Sequence, residues 1–287
     1  MFGVTACRCF AAAGIVGALL VSADCGGGGS SSPPAPSPPS APTPPTPPAA
    51  PVGNACSVLS GFLGTPQGIV NGVACDAQQA DSSSVVWLQL LAGDGVSLGY
   101  CSGTVIDTRA VLTAAHCLDA TTKAVAAYMG TGRLPITTRE FYASPDYTGL
   151  GPASLDVGVV LFAESLDRAP IPLFTSRALT GGEAAVVAGW GTDGVAGSGR
   201  TLRAGDLKVT RVTLTQIEAA FSDTSSGVCY GDSGGALLAS SGGVWAVAGV
   251  TSKVTSGCLS GASYWANVFN SSIRSFILKY VPGATQR

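Results

Sequence analysis

Charge and histidine are what this chain of 287 residues has least of. Charged residues make up 11% of it, the net charge is −2, and one histidine, His116, is present. So few cations remove the electrostatic case for nucleic-acid binding. A lone imidazole, and no C-x-x-C pair among nine cysteines, leave little from which to build a zinc site. No metal or other cofactor is therefore expected. The apolar stretch Phe10 to Val21 is too short for a bilayer-spanning helix, which needs about 20 residues.

What is abundant is Gly, Ala, Val, Ser and Thr, in short apolar runs broken by Gly, Pro and Ser. That pattern favours many short strands over long helices. One segment keeps a helical period: Ile273, Phe276, Ile277, Tyr280 and Val281 recur at i, i+3, i+4, i+7 and i+8. The expectation from the pattern is many short strands and one clear helix at the end of the chain.

Two runs carry chemistry, Leu112-Thr113-Ala114-Ala115-His116-Cys117 and Gly231-Asp232-Ser233-Gly234-Gly235. A serine hydroxyl is a poor nucleophile unless a neighbouring base takes its proton, and histidine suits that task near neutral pH. With one imidazole, any such mechanism has to use His116. Gly231-x-Ser233-x-Gly235 also fits a nucleophile elbow, but there the histidine follows the serine, and none does here. An order of acid, His, Ser is open through Asp76, Asp81, Asp94 or Asp107, yet it comes with alternating helices and parallel strands that the pattern lacks. The acid is then expected between 116 and 233. Asp156 opens the apolar run Asp156-Val157-Gly158-Val159-Val160-Leu161-Phe162, where a carboxylate is costly unless paired. Asp146 competes from the turn-like Ser144-Pro145-Asp146-Tyr147, and Asp167 and Asp193 read as loop residues.

TAAHC followed by GDSGG resembles the signature of the trypsin/chymotrypsin family of serine proteases. The resemblance implies an all-β fold: two packed six-stranded antiparallel β-barrels with the site between them, and a C-terminal helix. It makes His116 the general base, Asp156 (whose run resembles the family's DIAL strand) its orienting acid, and Ser233 the nucleophile. The backbone N–H groups of Gly231 and Ser233 would form the oxyanion hole. Ile69-Val70-Asn71-Gly72 resembles the activated N-terminus, whose freed amine pairs with the acid before the nucleophile, here Asp232. Gly189-Trp190-Gly191 resembles a packing landmark of the second barrel. The stretch from Leu118 to Arg139 lacks the acidic cluster of the family's optional calcium loop.

The cysteines follow the same resemblance. Cys101–Cys117 corresponds to the bridge beside the histidine and Cys229–Cys258 to the one beside the primary pocket, leaving Cys56 and Cys75 to pair. Such pairing goes with export, and residues 1–23 read as a signal peptide. Cys25 with its four following glycines resembles a lipoprotein anchor. Against that, Asp24 is a poor neighbour for lipidation, and Val21-Ser22-Ala23 fits a simple secretory cut. Residues 24–53 form a Gly/Ser/Pro-rich linker, in which Pro33 to Pro51 would reach ~60 Å at ~3.1 Å per residue. Residues 54–68 resemble a propeptide, and 69–287 form the protease domain.

Two departures matter. No Lys or Arg lies between Cys9 and Ile69, so a trypsin-like activator has no cut site before Ile69. Either another protease acts at Gln67-Gly68 or the enzyme works uncut. The pocket positions that the resemblance assigns are Gly227, Val254 and Ala262. Without a carboxylate there, and with Val254 where glycine is usual, cleavage after small apolar residues is expected. Lys253 stands where an aromatic is common. The reading is thus an extracytoplasmic serine endopeptidase, secreted or lipid-anchored, monomeric, acting on proteins or peptides. A catalytically silent, protease-like binding module and an esterase with the same site chemistry are the alternatives.

Overall fold

Apolar runs cut by glycine and proline become fifteen short strands in the computed structural model, which describes Cys56 and residues 69–130, 133–149, 151–194 and 199–287. The expected signal segment 1–23, the linker 24–53 with Cys25, and all of 54–68 except Cys56 lie outside the described residues.

After a two-residue strand β1 (Val73–Ala74), the first barrel is built from β2 (Val85–Leu91), β3 (Ser97–Asp107), β4 (Ala110–Thr113), β5 (Ala124–Tyr128), β6 (Ile136–Thr138), β7 (Glu140–Ala143) and β8 (Gly158–Leu161). They form one antiparallel sheet in the order β6-β5-β2-β3-β4-β8-β7. Its two edges, β6 and β7, are consecutive in the chain and parted only at Arg139. The sheet therefore closes on itself with six strands around. Burial alternates along β2, as a strand with one face to the core requires. Between β2 and β3 the chain reverses through Asp94-Gly95, with Gly95 at φ +84°, a conformation open to glycine at little cost.

The second barrel repeats the device with β9 (Ala184–Gly189), β10 (Arg203–Lys208), β11 (Arg211–Val212), β12 (Gln216–Ala220), β13 (Ala236–Ser241), β14 (Val244–Val254) and β15 (Ala262–Asn267), ordered β1-β10-β9-β13-β14-β15-β12-β11. Here β10 runs into β11 through Val209 and Thr210, whose N–H groups reach Glu183 O (2.9 Å) and Glu218 O (2.7 Å). Counting β10 and β11 as one bent strand again gives six, with β1 added alongside β10. Each barrel fills its own interior: Val85, Leu88, Val105, Val125 and Val159 in the first, Val187, Ile217, Leu237 and Trp265 in the second.

The periodic C-terminal segment is a helix, Ser271–Tyr280, capped by Asn270, whose side chain accepts from the N–H groups of Ser272 and Ile273. Ile273, Phe276 and Ile277 are buried, and Tyr280 stacks on Tyr142 of β7 at 4.0 Å. A second helix, Ala77–Ser82, is too short to announce itself by periodicity. It is started by a reciprocal capping box between Asp76 and Gln79. All three expected disulfides are formed: Cys56–Cys75, Cys101–Cys117 and Cys229–Cys258.

Candidate active site

Where β4 ends at the barrel junction, the chain makes one 3₁₀ turn, Ala115–Leu118. Ala114, Ala115 and Cys117 are buried, and the disulfide ties Cys117 back to β3. This anchoring leaves the side chain of His116 25% exposed at the surface of the turn. The two sulfurs beside it are bonded to each other, which leaves them no thiolate to offer a metal.

Asp156, just before β8, is the carboxylate brought to His116. Nδ1 of His116 lies 2.8 Å from Asp156 Oδ2, and the His116 backbone N–H donates to Oδ1 at 3.0 Å. Ser252 Oγ donates to Oδ2 at 2.6 Å. Asp156 is 2% exposed, and these three donors offset the cost of burying it. An acceptor facing Nδ1 holds the ring proton there and leaves Nε2 as the basic nitrogen. Tyr147 lies near enough that burial, and then the Asp156 charge, holds its phenol above the ordinary value. Asp146 is exposed, Asp167 pairs with Arg133 (3.0 Å), and Asp193 pairs with Arg203 (3.0 Å).

Ser233 sits half-buried on the tight loop before β13. Gly231 (φ +91°) and Gly234 (φ +82°) are both left-handed. A Cβ on Gly231 would come within 2.3 Å of Tyr100, and one on Gly234 within 2.1 Å of Thr113 Oγ1, so both positions require glycine for space and conformation. The loop is pinned to the first barrel by Ser102, fully buried on β3. Its N–H donates to Ser233 O (2.8 Å), while its Oγ donates to Gly231 O (2.9 Å) and accepts from Trp190 N–H (2.8 Å).

Between the two glycines, Asp232 is fully buried, its Oδ1 accepting from Gly191 N–H and its Oδ2 from Cys229 N–H, both at 2.8 Å. Gly189 and Gly191 leave the space it occupies, since a Cβ on either would fall within 2.5 Å of an Asp232 side-chain atom. The Gly-Trp-Gly landmark is thus a cradle for a carboxylate. Burial pushes the Asp232 carboxyl up to about 7, against the opposing pull of the two amides and of Arg203.

A cavity of about 260 Å³ opens beside His116 and Ser233, walled also by Tyr230, Ser252, Lys253 and Val254. A larger cavity of about 390 Å³ beside Trp87 and Tyr128 includes neither His116 nor Ser233. Of the three expected pocket residues, Val254 lies on the wall. Gly227 is buried outside the wall, in a bridge with Val70, and Ala262 is buried on β15 with both backbone groups bonded to Thr255. Ile69 is fully buried in the second barrel's core, and Asn71 Nδ2 reaches Ser222 O (3.1 Å) and Ser225 O (3.3 Å).

Sequence reasoning missed Ser252 and Ser102. Ser252 had a legible signal, a hydroxyl on the same run as Val254. Ser102 had only its place between Cys101 and Gly103.

Comparison with known proteins points the same way. The family model described as Trypsin matches residues 69–274. Trypsin alpha-4 of Lucilia cuprina is 30% identical over 196 residues, spanning 59% of this chain and 72% of its own. A solved structure titled as HL collagenase superposes with a TM-score of 0.61 at 22% identity, over 75% of this chain and 99% of its own, a likeness of fold. The chain belongs to the trypsin family of serine proteases.

Proposed function

We propose that this protein is an exported serine endopeptidase in which His116, Asp156 and Ser233 act as one unit. The observation that carries the reading is the buried Asp156, bonded to His116 Nδ1 and to Ser252, with Ser233 on the same cavity. Ser233 Oγ attacks the scissile carbonyl while His116 Nε2 takes its proton and then delivers it to the leaving amine. Asp156 keeps the ring oriented and stabilises the imidazolium. The N–H groups of Gly231 and Ser233 receive the oxyanion, a contribution worth roughly 10²–10³ in rate per donor. Beyond Val250, β14 no longer pairs with β13, and a peptide laid along Ser252 to Val254 would be bound as an added strand. Val254 narrows the cavity, and its walls carry no carboxylate among the described residues, so small apolar residues are taken before the scissile bond.

Activation by cleavage before Ile69 is part of this reading. Ile69 has φ +37°, a conformation costing a β-branched residue on the order of 1–3 kcal/mol. Cutting the preceding bond would relax it and free an amine for Asp232. Three disulfides support export to an oxidising compartment, with Cys25 as the candidate anchor. A fluorophosphonate probe and a set of peptides differing only before the scissile bond test the proposal. The expected result is labelling at Ser233, lost in Ser233→Ala, with cleavage after Ala or Val. Efficient cleavage after Arg or Lys would refute the specificity, and no labelling of cut or uncut protein would refute the activity.

A further inference from the structure

The larger cavity, about 390 Å³ beside Trp87 and Tyr128, is walled by aromatic rings that stacking and hydrogen bonds hold in place. Trp87 and Tyr128 lie with ring centroids 4.0 Å apart, and the Tyr128 hydroxyl donates to Gln89 Oε1 at 2.8 Å. Trp190 also lines the cavity, its indole N–H donating to Val85 O at 2.9 Å, and the Arg200 guanidinium lies 5.1 Å over the Trp87 ring. All three rings are half-buried, so part of each still faces solvent. Rings fixed in advance lose little freedom when a ligand packs on them. Besides Arg200 the wall carries the charge of Asp81, and the two cancel. An uncharged, apolar ligand fits such a wall.

Cys75 belongs to the same wall. Its disulfide to Cys56, with the two Cα atoms 5.5 Å apart, brings the chain that precedes Cys56 to the edge of the cavity. Just upstream the sequence runs Thr46-Pro47-Pro48-Ala49-Ala50-Pro51, without a charge and with a P-x-x-P spacing between Pro48 and Pro51. In the polyproline II conformation, with three residues per turn and a rise of about 3.1 Å, those two prolines share one edge about 9 Å apart. Aromatic-lined grooves receive such an edge well, because the conformation is preformed and costs little entropy to bind. Pro51 lies five residues before Cys56, a reach of at most about 18 Å. A segment held that close meets the cavity at an effective concentration on the order of mM, so a contact too weak to join separate molecules can form within one chain.

We propose that residues 46–51 of this chain dock in the cavity in the polyproline II conformation, Pro48 and Pro51 packing on the rings of Trp87, Tyr128 and Trp190. The Cys56–Cys75 disulfide is the staple that delivers the segment to its site. The cavity includes neither His116 nor Ser233, so the docked segment leaves the candidate active site open. The proposal does not depend on the endopeptidase reading.

The test is NMR of the full chain carrying Ser233→Ala, which prevents self-digestion. The indole N–H signals of Trp87 and Trp190 are read against those of Trp245 and Trp265, which lie outside the cavity wall. Pro48→Ser with Pro51→Ser changes no barrel residue and should shift the Trp87 and Trp190 signals while leaving the other two in place. A free peptide of the sequence 46–51 should move the double variant's signals back toward wild type. It should bind wild type roughly threefold or more weakly, because the attached segment competes. Identical indole signals in wild type and double variant would overturn the proposal, as would equal affinity of the two for the peptide. An equal shift from Pro33→Ser with Pro34→Ser would take the effect away from residues 46–51 and overturn it too. Wild-type signals that move toward the double variant's on dilution would assign the cavity to the segment of a second copy, which is equally fatal to docking within one chain.

Discussion

Asp232 links the pH dependence of stability to the proposed activation cut. In the uncut chain its carboxyl is fully buried and titrates at about 7, against 3.8 for the ordinary group. Between those values the folded state binds a proton that the unfolded state has lost, so stability is highest on the acid side. It falls as pH rises through the window and levels off above about 7. A shift of about three pH units, at about 1.4 kcal/mol each, puts the loss on the order of 4 kcal/mol. Cutting before Ile69 would free an α-amine, which remains cationic below about 7.7. Paired with it, Asp232 would titrate lower and the acid-side advantage would vanish. The assay is urea unfolding of the Ser233→Ala protein, uncut and cut, at steps from pH 5 to pH 7.5. Both forms have the same side chains, so the other side-chain titrations cancel in the comparison and only the new termini differ. The reasoning fails if the uncut protein is equally stable across that range, or if cut and uncut proteins lose stability in parallel.

The remaining expectations are simpler. Asp156→Asn should lower kcat by roughly 10³–10⁴ with the fold intact by circular dichroism, and Ser252→Ala should lower it by a smaller factor; Asp146→Asn lowering it instead would displace Asp156 from its role. Ser102→Ala strands two half-buried backbone groups, Trp190 N–H and Gly231 C=O, at a cost of about 1–3 kcal/mol; a loss below about 0.5 kcal/mol in denaturant titration would show that the bridge carries little. Material cut before Ile69 should run as one species without reductant and two with it, because Cys56–Cys75 spans the cut. Val254→Gly should extend cleavage toward Phe, measured as kcat/KM on paired peptides; an unchanged preference for Ala or Val would place the selection elsewhere.

Much of this architecture was legible before any coordinates. Short apolar runs broken by glycine, proline and serine point to many short strands, and the antiparallel barrels followed from the resemblance of TAAHC and GDSGG to the trypsin family. The helix at the C-terminus was legible because its apolar residues keep a 3.6-residue period over nearly three turns. The helix Ala77–Ser82 was not, since six residues hold too little period to read. The bend at Arg139 and the run of β10 into β11, which close the two barrels, leave no local mark either.

The sequence by itself determined the chemical inventory: one imidazole, one Gly-Asp-Ser-Gly-Gly loop after it, and an order that confines the acid to the residues between them. It also determined what is missing, a basic residue before Ile69 and a carboxylate at Gly227. Only the tertiary structure decided which carboxylate lies against His116, that Ser252 shares it, that Ser102 pins the nucleophile loop, and which expected pocket residues reach the cavity wall. Those contacts join residues far apart in the chain, His116 to Asp156, Ser252 to Asp156, Ser102 to Gly231. Their geometry is set by strand register, by one bulge in β14 and by the packing of one barrel on the other. Local sequence fixes which side chains exist; burial and register fix which of them meet.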